Sequence, residues 1–101
     1  MWIMVIFDLP VTSVVARRAY TQFRKDLLKD GFIMIQYSIY VRPCSSAENL
    51  DVHAKRVKRV LPPDGEVRIL AFTDKQYERM KVFYGKKKKA VEKPPEQLEF
   101  F

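Results

Sequence analysis

The sequence is poor in the residues that build disulfides and metal clusters. It has one cysteine, Cys44, and one histidine, His53. A single cysteine excludes an internal disulfide framework and suits a reducing cytoplasm. Because no histidine lies nearby in an obvious motif, we interpret Cys44 as a small, buried or half-buried apolar residue and not as a nucleophile. Because the chain has no second histidine and no cysteine-rich spacing, we interpret His53 as a surface residue and not as a metal ligand.

Long hydrophobic runs are also missing. The longest apolar run is far shorter than the roughly 20 residues that cross a bilayer, and no basic leader precedes it. We therefore expect a cytoplasmic protein without a membrane segment or signal peptide. A length of 101 residues allows one domain with a modest core and leaves no room for a separate catalytic domain.

Acidic residues are too few to balance the basic ones. The chain has nineteen Lys and Arg and twelve Asp and Glu residues, which gives a formal charge of +7. A charge this large on a short chain favours a polyanionic partner, with nucleic acid ahead of a membrane surface. The alternative is a soluble protein whose surface is merely basic.

The strongest positive signal is an apolar run from Trp2 to Phe7 that ends at a lone carboxylate, Asp8. An uninterrupted β-branched and aromatic run predicts a strand buried on both faces, hence the central strand of a small sheet. Because Pro10 pushes Leu9 out of helical space, the strand should end at or just after Asp8. Ligands of open sheets bind at such strand ends, so Asp8 is a candidate functional residue. The alternative is that Asp8 accepts backbone hydrogen bonds in the following turn.

A basic helix is predicted next, from a cap at Thr12 or Ser13 to about Lys29. Its apolar face consists of Ala16, Ala19, Tyr20, Phe23 and Leu27. The opposite face carries Arg17, Arg18, Arg24, Lys25 and Lys29. Charge runs usually mark a solvated helix face, but charges of nearly one sign make Arg17, Arg18, Arg24 and Lys25 candidate nucleic-acid contacts.

The remaining signals alternate between strand and helix. Pattern alone makes Phe32 to Arg42 one long strand, because it contains no Gly, Pro, Asn or Asp. A capping box from Ser45 to Glu48 begins a second amphipathic helix, which Pro62-Pro63 ends. The last three elements are a strand at Glu66 to Phe72, a short helix at Asp74 to Arg79 and a short strand at Met80 to Tyr84.

This order of elements predicts an α+β sandwich in which two helices cover one face of an antiparallel sheet. The other apolar face would be bare, so we expect a symmetric dimer joined sheet to sheet. We expect residues 1–85 to form the domain and residues 86–101 to form a basic, proline-containing tail. We expect Gln97 to Phe101 to dock on a strand edge of another chain, the alternative being a frayed terminus.

Taken in order, several segments make the chain resemble CRISPR-associated protein 2, the small subunit of the spacer-acquisition machinery. These segments are Phe7-Asp8-Leu9-Pro10, Arg17-Arg18, Ile35-Gln36-Tyr37-Ser38-Ile39-Tyr40, Val67-Arg68-Ile69 and Thr73-Asp74-Lys75-Gln76. The resemblance implies a ferredoxin-like βαββαβ fold with an extra C-terminal strand, which forms a homodimer. It also implies that the long β segment is two strands, broken near Gln36-Tyr37.

The resemblance further implies metal-dependent hydrolysis of phosphodiester bonds in RNA or double-stranded DNA. Asp8 would then be the catalytic residue and the ligand of Mg²⁺ or Mn²⁺. One carboxylate is few for a hard cation, but a two-fold dimer would bring Asp8 from both chains together. Arg17, Arg18 and backbone amides would steady the phosphates. The implied partners are a second copy of the chain, the CRISPR-associated integrase, and DNA or RNA.

Two other functions stay open on the sequence. The protein could be a non-catalytic bridge that holds two integrase dimers and grips DNA through Lys and Arg. An RNA-recognition domain of related topology is a third possibility, although its Gly- and Phe-rich signature is absent. Tyr37 and Tyr40 could stack on bases, but we expect packing in the core or a dimer interface.

Overall fold

The computed structural model describes residues 1–86 and consists of four strands and three helices. In chain order the elements are β1 (Trp2–Asp8), α1 (Val14–Lys29), β2 (Ile33–Gln36), β3 (Ile39–Pro43), α2 (Ala47–Arg59), β4 (Glu66–Phe72) and α3 (Asp74–Glu78). No helix within the described range is long and apolar enough to cross a membrane.

The strands form one antiparallel sheet in the order β2-β3-β1-β4. The run from Trp2 to Asp8 is therefore an interior strand, as the sequence predicts; it pairs with β4 along its whole length and with β3 from Trp2 to Ile6. Ile3 and Val5 are fully buried. The strand ends at Asp8, so the prediction from Pro10 is confirmed.

Helices α1 and α2 pack on the same face of the sheet, which confirms the predicted sandwich. Alternate residues of β1 meet the buried faces of both helices in one core: Ile3, Val5, Phe7, Phe23, Leu27, Leu50 and Val57. Full burial of side chains of this size stabilises the fold by about 1.5–3 kcal/mol each. Ser13 caps α1 by accepting a hydrogen bond from Ala16 N–H at 3.0 Å. The cap of α2 is Ser46 and not Ser45, since Ser46 Oγ accepts from Asn49 N–H at 3.0 Å.

The other face of the sheet is covered by neither α1 nor α2. The register places on this open face Trp2, Met4, Ile6 and Asp8 of β1, Ile39 and Val41 of β3, and Glu66, Arg68, Leu70 and Phe72 of β4. The ring of Tyr77 in α3 stacks on Trp2 with the centroids 4.0 Å apart. Met4 and Val41 are buried but lie outside the helix-side core.

The prediction of one long strand from Phe32 to Arg42 is wrong, and the break implied by the family resemblance is confirmed. β2 ends at Gln36 and β3 begins at Ile39, with Tyr37 and Ser38 between them. Ser38 takes a left-handed conformation with φ of 63°, which serine rarely adopts. The register also shifts between Met34 and Gln36. The turn thus forms without Gly, Pro, Asn or Asp, the residues whose absence predicted a continuous strand.

The predicted fifth strand at Met80 to Tyr84 is absent from the described chain. These residues follow α3 and belong to no strand of the four-stranded sheet. The predicted tail contact of Gln97 to Phe101 lies outside the described residues.

His53 is buried and does not lie on the surface, so that prediction is wrong. Its ring lies on the same helical stripe as Leu50 and Val57 and is 4% exposed. The Nδ1–H group donates to Oδ2 of Asp30 at 2.7 Å, so the buried polar ring has a partner. Cys44 is a buried free thiol, as predicted.

Candidate active site at the end of the central strand

Asp8 is the last residue of β1 and its side chain is exposed. Directly opposite it on β4 is Glu66, and the next open-face position of β4 is Arg68, which is opposite Ile6. Side chains at directly opposed positions of antiparallel strands lie about 4.5–5.5 Å apart at Cβ. The strand end therefore presents two carboxylates and one guanidinium on a single surface.

The carboxylate of Asp8 has no structural role within the described part of the chain. It makes neither a hydrogen bond nor an ion pair with any of residues 1–86. The alternative that Asp8 accepts backbone hydrogen bonds in the turn is thus not what the structure shows. Ser13 supplies the helix cap that such a carboxylate could have provided. Asp8 is left available to a ligand from solvent.

The backbone of Asp8 is held by the turn at Asp64 and Gly65. Gly65 has φ of 98°, a conformation that glycine adopts without strain. A Cβ built on Gly65 would lie 2.7 Å from the carbonyl oxygen of Asp8 and 2.6 Å from Cδ2 of Leu9. The turn therefore packs directly against the strand end that carries Asp8.

The β2–β3 turn lies on the other side of the strand end. Phe7 N–H donates to the carbonyl of Ser38 at 3.1 Å, which ties this turn to the residue before Asp8. Tyr37 beside it is 72% exposed, whereas Tyr40 is 1% exposed and belongs to the core. Of the two tyrosines, packing is therefore confirmed for Tyr40 only.

The basic residues predicted to contact nucleic acid lie on the helix side of the sheet. Arg17, Arg18 and Lys25 are exposed on α1, and Arg24 is half-buried on its flank. Arg17 Nη1 donates to the carbonyl of Val11 at 3.2 Å, so Arg17 lies at the same end of the molecule as Asp8. Arg24 and Lys25 are about 10 Å further along the helix. The Asp8 side chain belongs to the opposite face of the sheet, so one chain does not gather these cations around it.

The surface around Asp8 offers only part of a cation site. Among residues 1–86 there is no group of three or more His, Cys, Asp or Glu side chains that could hold a metal ion. Asp8 and Glu66 are nevertheless adjacent oxygen donors, the donor type that Mg²⁺ and Mn²⁺ prefer, and Mg²⁺ commonly binds through one or two carboxylates plus water and phosphate. The donor chemistry therefore fits a divalent cation, but the ligand number requires water, substrate or a second chain.

The sequence did not predict that Glu66 and Arg68 lie next to Asp8. Arg68 Nη1 donates to Glu66 Oε1 at 3.2 Å, and both side chains are about two-thirds exposed. Their proximity to Asp8 could have been predicted only by pairing the Glu66–Phe72 strand with β1. Once an antiparallel register is assumed that aligns Trp2 with Phe72, Glu66 falls opposite Asp8.

Comparison with known proteins assigns the chain to a family. Residues 1–80 match the family described as CRISPR associated protein Cas2. The chain is 52% identical over 101 residues to the CRISPR-associated endoribonuclease Cas2 of Parvibaculum lavamentivorans, with 100% of both chains covered. It is 48% identical over 101 residues to the protein of the same name from Flavobacterium psychrophilum, covering 100% of this chain and 88% of that one. The protein therefore belongs to the CRISPR-associated Cas2 family.

A solved structure supports the same fold. The crystal structure of Streptococcus pyogenes Cas2 at pH 6.5 superposes with a TM-score of 0.62, covering 83% of this chain and 100% of that one. The sequence identity is 18%, so the likeness is one of architecture. The α+β sandwich deduced from strand and helix order is confirmed.

Proposed function

We propose that this protein is a metal-dependent endonuclease that cleaves phosphodiester bonds at Asp8 and takes part in acquiring new CRISPR spacers. The observation that carries the proposal is the exposed Asp8 carboxylate, which ends the interior strand and has no partner within residues 1–86. A carboxylate placed at such a strand end without a structural role suits a ligand-binding function. The relatives named as endoribonucleases at 52% and 48% identity point to the same chemistry.

Asp8 is the proposed ligand of Mg²⁺ or Mn²⁺, and Glu66 is the nearest second carboxylate. When bound, such an ion would supply Lewis-acid chemistry at the phosphate. The side chains would then have distinct roles. Asp8 would hold the ion at the strand end, and the Arg68 guanidinium on the same face would bind a substrate phosphate.

A homodimer through the open face would complete this arrangement. The open face displays large apolar side chains, including Ile6, Leu70 and Phe72, that neither α1 nor α2 covers. Joining two such faces about a two-fold axis removes them from water and brings the two Asp8 strand ends toward each other. Additional carboxylate oxygens from the second chain would supply the ligands that one chain lacks.

The second candidate is the non-catalytic bridge between integrase dimers. It is favoured by the separation between Asp8 and the basic residues of α1, which lie on opposite sides of the sheet. A surface of exposed cations without a carboxylate at its centre can bind phosphates without cleaving them. One dimer could perform both tasks, cleavage at the strand ends and DNA binding along the helices.

The deciding experiment is a metal-titrated cleavage assay of Asp8→Asn on RNA and on double-stranded DNA. Asn keeps the size of Asp8 but loses its charge, so cleavage that depends on Mg²⁺ or Mn²⁺ should fall to background while thermal unfolding and dimer mass stay unchanged. The matched control is Asp64→Asn, which neutralises an exposed carboxylate in the neighbouring turn and should cleave as the wild type does. Equal cleavage by Asp8→Asn and wild type would rule out the catalytic role and leave the bridge.

A further inference from the structure

Tyr37 presents an aromatic ring to solvent at the tip of the β2–β3 turn. It is 72% exposed, while most other rings of the sheet's helix side are buried. Burying a ring of this size is favourable, so an exposed one at a strand end is a candidate contact. Its other surface packs on Tyr20 of α1, with ring centroids 6.3 Å apart and planes 25° apart.

The Tyr37 ring is connected to the core through Tyr20. Tyr20 makes an edge contact with Phe7 at 6.0 Å and 65°, and Phe7 is part of the core. Burial first, and then the neighbouring Tyr37 side chain, raise the pKa of Tyr20. Tyr37 is thus the outer member of a column of three rings that begins in the core. Little conformational freedom would be lost if a flat ligand stacked on it.

The same turn is tied to the candidate active site. The carbonyl of Ser38 accepts from Phe7 N–H at 3.1 Å, one residue before Asp8. Ser38 keeps the left-handed φ of 63° that allows this close approach. A left-handed conformation is uncommon for serine, so contacts with the surrounding residues must stabilise it in this turn. The exposed ring and the free carboxylate therefore lie at one end of the sheet, at fixed positions.

We propose that Tyr37 stacks on an unpaired base of a single-stranded nucleic acid whose backbone passes Asp8. The charge and shape of this end of the molecule indicate the occupant. A chain with a net charge of +7 favours a polyanion, and a flat exposed ring at the end of the sheet where Asp8 would hold a cation for phosphate suits a nucleobase. Bases inside a duplex have both faces stacked, so only an unpaired base can use Tyr37. This inference rests on the proposed function for the role of Asp8, and it names the substrate class.

The test measures binding and stacking separately from cleavage. Full-length wild type and Tyr37→Ala are titrated with single-stranded RNA, single-stranded DNA and a duplex of equal length, in the absence of divalent ions. Loss of one base stack should weaken single-strand binding by about 5- to 150-fold and leave duplex binding unchanged. Tyr37→Phe keeps the ring and should bind as the wild type does.

A direct readout of stacking uses 2-aminopurine within the single strand. Its fluorescence should be quenched on binding to wild type and Tyr37→Phe, but not to Tyr37→Ala. Met34→Ala is the matched control, because it removes an exposed apolar side chain of the same hairpin that has no ring. It should retain both the affinity and the quenching.

The outcomes separate this inference from the proposed nuclease. If Tyr37→Ala binds single strands with wild-type affinity and quenches 2-aminopurine, the stacking role is wrong, whether or not the wild type cleaves. Equal losses for single strand and duplex would also overturn it, since they indicate a general loss of binding. If the wild type binds through Tyr37 but never cleaves, the stacking role stands and the nuclease fails.

Discussion

Asp30 joins three elements of the fold through one residue. It caps the C-terminal end of α1, and its carboxylate accepts from His53 Nδ1–H and Arg56 Nη1, each at 2.7 Å. Its carbonyl accepts from Arg42 Nε at 2.7 Å. Burial alone would raise the pKa of the Asp30 carboxyl, but the hydrogen bonds and charges of His53 and Arg56 outweigh it and lower the pKa below its ordinary value of 3.8.

The lowered pKa of Asp30 predicts an acid-dependent loss of stability. The carboxylate is favoured in the folded state, so its contribution is complete above pH 3.8 and is lost as the pH falls through the lower, folded pKa. Asp30→Asn should reduce the free energy of unfolding at pH 7 by about 1.5–3 kcal/mol and remove this component of the acid dependence. Urea unfolding measured between pH 2 and pH 7 checks both.

Asp26→Asn is the control for the Asp30 prediction. Asp26 is on the same helix, and its carboxylate accepts a hydrogen bond from the Gln22 amide at 3.0 Å. This variant should keep the wild-type slope of stability against pH below pH 4. A slope for Asp30→Asn as steep as that of the wild type would contradict the assignment.

Gly65→Ala should both destabilise the fold and misplace Asp8. An added Cβ meets backbone and side-chain atoms at 2.6 and 2.7 Å, and φ of 98° is strained for alanine. The two effects together should cost at least about 2 kcal/mol, measured by denaturant unfolding. Gly85→Ala is the control, because nothing lies within 4 Å of its Cβ. Equal stability of the two variants would show that the turn does not hold the strand end.

At the scale of single elements, the hydrophobic pattern was sufficient to predict the type and the bounds of a strand or helix that has one continuous buried face. The run from Trp2 to Asp8 and the stripe of α1 both predicted their elements within one or two residues. The β2–β3 break escaped because the segment contains no Gly, Pro, Asn or Asp, and a single serine at Ser38 is a weak turn signal that does not predict its left-handed φ. His53 was misplaced although its spacing of three residues from Leu50 and four from Val57 puts it on the buried stripe of α2. What the pattern of one helix cannot show is the partner, Asp30, that satisfies the buried ring.

The outer face of α1 should bind phosphates without regard to sequence. Arg18→Gln with Lys25→Gln removes two exposed cations that border one shallow surface. The slope of log affinity against log salt should become shallower by about 0.7 per lost contact on a single strand. Anisotropy titrations at several salt concentrations measure this. Lys55→Gln with Lys58→Gln, the same change on α2, should have the smaller effect, and equal effects would mean that charge alone governs binding.

At the scale of the whole molecule, the open face should control assembly. Leu70 is half-buried on the open face, and Ile69, its neighbour in the strand, lies on the helix side beside α2. Leu70→Lys would place a charge in the proposed interface and should give a monomer at concentrations where the wild type is dimeric. Ile69→Lys should remain a dimer. Sedimentation equilibrium distinguishes them, and a dimeric Leu70→Lys would refute assembly through this face.

The candidate site, like the fold, was only partly predictable from the sequence, because local patterns are visible in a sequence and long-range pairing is not. Asp8 could be found because its position depends on one strand and one proline. Glu66 and Arg68 could not, since their proximity to Asp8 depends on the pairing of strands almost sixty residues apart. The exposure of Tyr37 depends on a turn that the sequence does not announce. The local sequence was therefore enough to identify Asp8, whereas its neighbours Glu66 and Arg68 are determined by long-range strand pairing.

The strand order has a consequence for how the chain is made. β1 leaves the ribosome first, yet one of its two neighbours, β4, begins only at residue 66. At about 5–20 residues per second, the β4-facing edge of the most apolar strand waits roughly 3–12 s before its partner exists. An unpaired hydrophobic edge can pair with other nascent chains during that interval. Slow translation before residue 66 should therefore increase aggregation of the newly made protein, whereas slow translation after residue 72 should not.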